Sequence, residues 1–171
     1  LSDRVPVLSV DNSTILTGSA TTDLAGTAFA GTLVMLDSAG DEVPTFTGGG
    51  ANPGYADLPL TASAGVSSTA GVATDPASGA VFTADVSYDP VFGSRLITRR
   101  YDRFGAFSQQ FETVVADPGP ASDVFRVAGV LRIAGGRWMV VTSELDSGGM
   151  HNVIVTYRFN ADGTPDLTHG S

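Results

Sequence analysis

Along this chain apolar and polar residues alternate over short stretches, and clusters of Gly, Pro, Asp and Asn divide the stretches. Alternation with period two lays apolar side chains on one face of a strand. VPVLSVDNSTILTGSA, from Val5 to Ala20, reads as strand, turn, strand. AGVATDPASGAVFTADV (Ala70 to Val86) and VAGVLRIAGGRWMVVTSE (Val127 to Glu144) read the same way. Strands are predicted at about 5–10, 14–19, 32–36 and 55–62, then 70–74, 80–86 and 95–102, then 112–116, 126–133, 137–144 and 152–159. No stretch sustains a helical period, so the expected class is all-β, built of antiparallel sheet.

A second pattern recurs downstream of each hairpin. It appears as LVMLDSAGDEVPTFTG (Leu33 to Gly48), ITRRYDRFGAFSQQFE (Ile97 to Glu112) and VTYRFNADGTPDLTHG (Val155 to Gly170). The shared glycines are Gly40, Gly105 and Gly163, spaced 65 and 58 residues apart. Four residues before each stands a large apolar group: Leu36, Tyr101, Phe159. Three before each stands Asp37, Asp102 or Asn160, whose side chain can fold back onto a turn. Six after each stands a ring: Phe46, Phe111, His169. Glycine reaches positive φ at little cost, as a tight hairpin needs. The upstream turn precedes its glycine by the same 26 residues in every copy (14 to 40, 79 to 105, 137 to 163). Two motifs locked at one offset, with a period near 60, mean propeller blades or a solenoid; about four short strands per copy favour blades.

These segments resemble the delta-60 repeat family of bacterial β-propellers. Its signature runs aromatic, Asn or Asp, two residues, Gly, two residues, Asp, two residues, Phe-Gly. The third copy follows it with Phe159, Asn160, Gly163, Asp166 and Gly170, and places His169 where Phe is usual. The first keeps Asp37, Gly40 and Phe46 but has Val43 at the second acidic position; the second keeps Tyr101, Asp102, Gly105 and Phe111 but has Ser108 there. The resemblance spans nearly the whole chain but thins outside these motifs. It implies a propeller fold and an extracellular or cell-surface bacterial setting, and no activity.

The expected organisation is three diverged four-stranded antiparallel repeats, β-propeller blades, at 1–50, 51–111 and 112–171. The first repeat reads as short of its first strand, because the extended segments at 55–62 and 113–116 are taken to open repeats two and three. Leu rather than Met stands first, which predicts a trimmed precursor or a piece of a longer chain. Known propellers close with four to eight blades. The chain is therefore expected to be part of a larger or oligomeric propeller, covered by further blades or other copies of itself.

Composition narrows the function classes. Net charge is −9; all nine basic residues are Arg, and the acids are fifteen Asp against three Glu. Asp suits turns and Glu suits helices, which agrees with a loop-rich β protein. An acidic surface opposes non-specific nucleic-acid binding. No apolar run approaches the roughly 20 residues of a spanning helix, so no membrane span is expected. The absence of Cys removes disulfides and thiolate metal sites.

Candidate chemistry is sparse. NADGTPD, Asn160 to Asp166, has the opening of a calcium loop, but the sister copies place Ala39 and Phe104, Asp41 and Ala106 at equivalent positions. A structural turn is the preferred reading over a metal site. DSGG, Asp146 to Gly149, matches a protease nucleophile segment, yet both histidines, His151 and His169, lie downstream of it. The two histidines share no ligand spacing with other metal-binding residues. Arg95, Arg99, Arg100 and Arg103 cluster, and strand alternation sends Arg99 and Arg100 to opposite faces. Arg100 and Arg158 share one repeat position and are expected to pair with Asp85 and Glu144. Trp138 is expected in the core. No catalytic residue, cofactor or metal ligand is assigned.

The loops between the second and third strands vary while their flanks hold register: TTDLAGTAFAG, SYDPVFG and LDSGGMH. Variable loops on a fixed scaffold are where binding concentrates. Phe29, Tyr88, Phe92, Met150 and His151 are the candidate binding residues, on a single predicted loop face. The expected function is a non-enzymatic extracellular binding or scaffolding module with a glycan or surface ligand. The alternative is a purely structural subunit that assembles into a wheel or polymer. A third reading, a glycan-active enzyme, would use Asp85 and Asp89 as carboxylates roughly 5–10 Å apart.

Overall fold

The computed structural model describes residues 7–8, 14–21, 29–48, 54–57, 67–89, 93–114, 126–145 and 151–169. Among the described residues eleven strands form three antiparallel sheets, each with its strands side by side in sequence order. The first sheet holds β1 (Val7–Leu8), β2 (Thr14–Thr21), β3 (Phe29–Leu36) and β4 (Tyr55–Asp57). The second holds β5 (Ser67–Thr74), β6 (Val81–Asp89), β7 (Gly93–Tyr101) and β8 (Phe107–Val114). The third holds β9 (Arg126–Arg132), β10 (Trp138–Leu145) and β11 (Asn152–Phe159). A 3-10 turn, Ala134–Gly136, joins β9 to β10, with Gly135 and Gly136 at φ 76 and 78°.

Two details differ from the sequence reading. The segment at Tyr55 does not open the second sheet: Thr32, Leu33 and Val34 of β3 pair with Asp57, Ala56 and Tyr55 of β4, so it completes the first. Of the segment at 112–116, residues 112–114 fall in β8, which pairs with β7 from Arg95↔Val114 to Tyr101↔Phe107, and the rest lies outside the described residues. Sequence repeat and sheet are thus out of phase by one strand. The first sheet has four strands, and the third has three among the described residues.

Each sheet packs face to face on the next: β3 meets β5, and β5 and β6 meet β9. For each sheet, let the leading face be the one toward the preceding sheet and the trailing face the one toward the following sheet. Leu33, Met35 and Ala56 of the first sheet, with Phe46 from the loop, pack on Val72, Val81 and Tyr101 of the second. Ala73, Phe82, Ala84 and Leu96 of the second pack on Val130, Trp138, Val140 and Phe159 of the third. Alternation explains the arrangement. Val81 and Phe82 are neighbours in β6 and serve opposite interfaces, so the second sheet is apolar on both sides.

Hairpin register aligns three strands of sheet two with the three of sheet three. Ala73 pairs with Phe82 and Phe82 with Arg100; Leu131 pairs with Met139 and Met139 with Arg158. The β5–β6 ladder skips Ala70, and the β9–β10 ladder skips Ala128, one bulge in one place. Gly71 and Gly129 follow those bulges.

Candidate functional site

The three glycine turns share one geometry. Gly40, Gly105 and Gly163 have φ of 90, 80 and 94°. Each donates its N–H to the carbonyl of Asp37, Asp102 or Asn160, at 3.1, 3.1 and 3.0 Å. Each of those residues donates its own N–H four residues on, to Asp41, Ala106 or Thr164, at 2.8, 2.9 and 2.8 Å. The side chains then diverge. Asp37 Oδ1 accepts from the N–H groups of Ala39 and Asp41, and Asp102 Oδ1 from those of Phe104 and Ala106. In the third turn Asn160 Nδ2 donates to Thr164 Oγ1 at 2.9 Å, and Asp162 Oδ1 accepts from Thr164 N–H and Oγ1–H. Those contacts, led by the Thr164 N–H, hold the Asp162 carboxyl below its ordinary range.

Asp166 is bound more tightly. Its Oδ1 accepts from Thr168 Oγ1–H at 2.7 Å and N–H at 3.0 Å; its Oδ2 accepts from Arg158 Nε at 2.7 Å and Arg137 Nη1 at 3.4 Å. The Thr168 contacts first, then Arg158, press its carboxyl far below the usual carboxylate range. Both acids of the NADGTPD segment are therefore engaged within the protein, Asp162 by Thr164 and Asp166 by Thr168, Arg158 and Arg137. His169 shares a 2.9 Å hydrogen bond with Thr156 Oγ1, and His151 is exposed just before β11.

The arginines pair differently from the sequence expectation. Asp85 takes Arg99, and Arg158 takes Asp166; Glu144 accepts from Thr142 and, at 2.9 Å, from the Tyr157 hydroxyl. Arg99 and Asp85 are 2% and 1% exposed, so this ion pair lies inside the protein, on the face that carries Val81 and Tyr101. Asp85 is thereby committed to a structural contact, which removes half of the carboxylate pair weighed for glycan chemistry. Burial, then the Glu144 carboxylate, raises the Tyr157 hydroxyl far above its ordinary value.

The proposed loop face is only partly described. Phe29 opens β3 opposite Thr21, Tyr88 lies near the end of β6 opposite Ser94, and Asn152 begins β11 opposite Leu145. These hairpin ends lie at the ends of their sheets opposite the glycine turns, as antiparallel pairing requires. Phe92 and Met150 lie outside the described residues.

The feature that sequence reasoning missed is a sheet face. Leu131, Met139, Val141 and Ile154 alternate with side chains that pack on sheet two, and so form the trailing face of sheet three. Leu131 is 52% and Ile154 70% exposed, and Met139 and Val141 are half-buried. The signal was present as unbroken apolar runs, VAGVL and WMVV, which suit a strand covered on both faces. With this geometry in hand, comparison with known proteins finds no matching family model, no matching curated protein and no matching solved structure.

Proposed function

We propose that this chain is a run of β-propeller-type repeats of the delta-60 kind, acting as a non-enzymatic extracellular binding or scaffolding module of a bacterium. The observation that carries the reading is the repeated glycine turn, with one backbone geometry at Gly40, Gly105 and Gly163. It supports a scaffold whose sheets are fixed copies and whose opposite hairpin ends are free to vary, the division of labour expected of a binding protein. The extracellular bacterial setting comes from the family resemblance. The test is a glycan array read with the intact chain and with a Tyr88→Ser, Phe92→Ser, His151→Ala variant. Binding by the first and its loss in the second supports the reading. Equal signals from both would reject the loop face.

The second reading, a structural subunit that assembles with its own kind, is favoured by the apolar trailing face of sheet three. Single apolar residues on a surface are ordinary, but Leu131, Met139, Val141 and Ile154 share one sheet face, where Arg158 stands opposite Met139 and Thr156 opposite Val141.

A further inference from the structure

The trailing face of sheet three repeats, position by position, a face that is buried one sheet earlier. By hairpin register Leu131 corresponds to Ala73, Met139 to Phe82, Val141 to Ala84 and Ile154 to Leu96. In sheet two these four positions are 6, 1, 0 and 1% exposed, because sheet three covers them. The glycine at the bulge makes an independent case. A Cβ on Gly71 would stand 2.8 Å from Val130 Cγ2 and 3.2 Å from Val127 Cγ1, so only glycine lets β9 approach. Gly129 stands at the same bulge of sheet three, and a Cβ there would meet none of the described residues within 4 Å. The notch that admits β9 onto sheet two is thus present on sheet three, where no described residue fills it. At the other end of the stack, Leu36 and Val34 are half-buried, whereas their equivalents Tyr101 and Arg99 are 0 and 2% exposed under sheet one.

We propose that the trailing face of sheet three docks the leading face of sheet one of a second copy of this chain, head to tail, with the same face-to-face packing that joins the sheets within one molecule. The partner is identified by complementarity already on display: a trailing face of this pattern is what a leading face covers. This deepens the assembling reading above. Such a contact joins two different surfaces, so it propagates to a closed ring or an open filament.

The test uses the whole chain in native mass spectrometry and light scattering over a wide concentration range. The wild type is expected to associate. Gly129→Val fills an open notch at ordinary backbone angles, so it should fold with the melting temperature of the dissociated wild type and stay monomeric. Gly71→Val should instead lower the melting temperature of the monomer itself. Val34→Glu, at the opposite end, should also be monomeric. Mixing Gly129→Val with Val34→Glu leaves one intact face on each variant and should give one-to-one pairs and nothing larger. A wild type that stays monomeric at every concentration overturns the proposal. So does association that survives Gly129→Val, or a mixture that forms no pairs. Glycan binding is independent of all of these outcomes, so failure of the ligand screen and failure of the docking face are separable.

Discussion

The rings of Phe82 and Trp138 stack across the seam between sheets two and three, with centroids 5.1 Å apart and planes 12° from parallel. Phe159 tilts onto Phe82 at 5.4 Å, and the Arg132 guanidinium lies over the Trp138 ring, 4.8 Å from its centroid. Arg132 also bridges the seam by a 3.0 Å contact to Asp75 in the β5–β6 turn. Burial opposes the charge on Asp75, yet Arg132 and the Ser78 hydroxyl still hold its carboxyl below the usual range.

Trp138→Ala should therefore destabilise the chain by about 3–5 kcal/mol, the usual range for deleting a buried aromatic. Trp138→Phe should cost less, because a ring remains to stack. Urea denaturation followed by far-UV circular dichroism measures both. Equal stability of Trp138→Ala and wild type would mean that the seam is held elsewhere.

The Arg99–Asp85 pair yields a sharper contrast. Arg99→Met leaves a buried carboxylate without its counter-charge, at a cost of about 3–5 kcal/mol. Replacing both partners, Arg99→Met with Asp85→Leu, removes the stranded charge along with the pair and should restore most of the lost stability. The double-mutant cycle from denaturation midpoints decides this. If the double variant is as unstable as Arg99→Met alone, packing rather than charge makes the site.

How far the sequence could be read depended on the range of the signal. The glycine turns were legible because Asp37, Asp102 and Asn160 act within four residues of themselves, and positive φ selects for Gly. The strands were legible from alternation. The partner of Asp85 was not, because it depends on register: Phe82 faces Arg100, so Arg100 joins the trailing face, and Arg99, opposite Thr83, shares the leading face with Asp85. A one-residue choice moves every side chain to the other face. The placement of β4 was hidden for a similar reason, since Tyr55–Asp57 carries no local mark of which sheet it joins. The exposed face of sheet three appears in sequence only as apolar runs, and whether such runs are covered is a tertiary fact.

The three turn glycines should differ in their tolerance of alanine. All require positive φ, which costs a residue with a side chain roughly 1 kcal/mol or more. Around Gly40 a Cβ would meet none of the described residues within 4 Å, so the backbone term acts alone. Around Gly163 the nearest atoms, Arg100 Cβ and Phe82 Cε2, are at 3.5 and 3.7 Å, an ordinary contact. At Gly105 a Cβ would lie 3.0 Å from Ala56 Cβ and from the Phe46 ring, so packing strain is added. Gly105→Ala should accordingly lower the melting temperature most, with Gly40→Ala and Gly163→Ala smaller and alike. Gly163→Val should cost more than Gly163→Ala, since a β-branched residue resists that region. Three equal shifts would show that Gly105 does not press on the first sheet.

The carboxylate of Asp166 should make the third sheet sensitive to acid. Thr168 and Arg158 favour its ionised form in the folded protein, so its folded pKa lies below the unfolded value of about 3.9. A group depressed in this way adds stability above its unfolded pKa, and that stability drains away as pH falls toward the folded pKa. Asp166→Asn removes the titration while keeping an acceptor for Thr168. At neutral pH the variant should melt below the wild type, because Arg158 and Arg137 lose their anion. As the pH drops below about 4, the wild-type melting temperature should fall more steeply, and the two curves should converge. Asp75, also depressed, remains in both proteins, so its own acid response cancels in the difference. Melting temperatures taken across the acid range measure that difference directly. Curves that run parallel down to the most acidic point would mean that the contacts of Asp166 do not stabilise the fold through its charge.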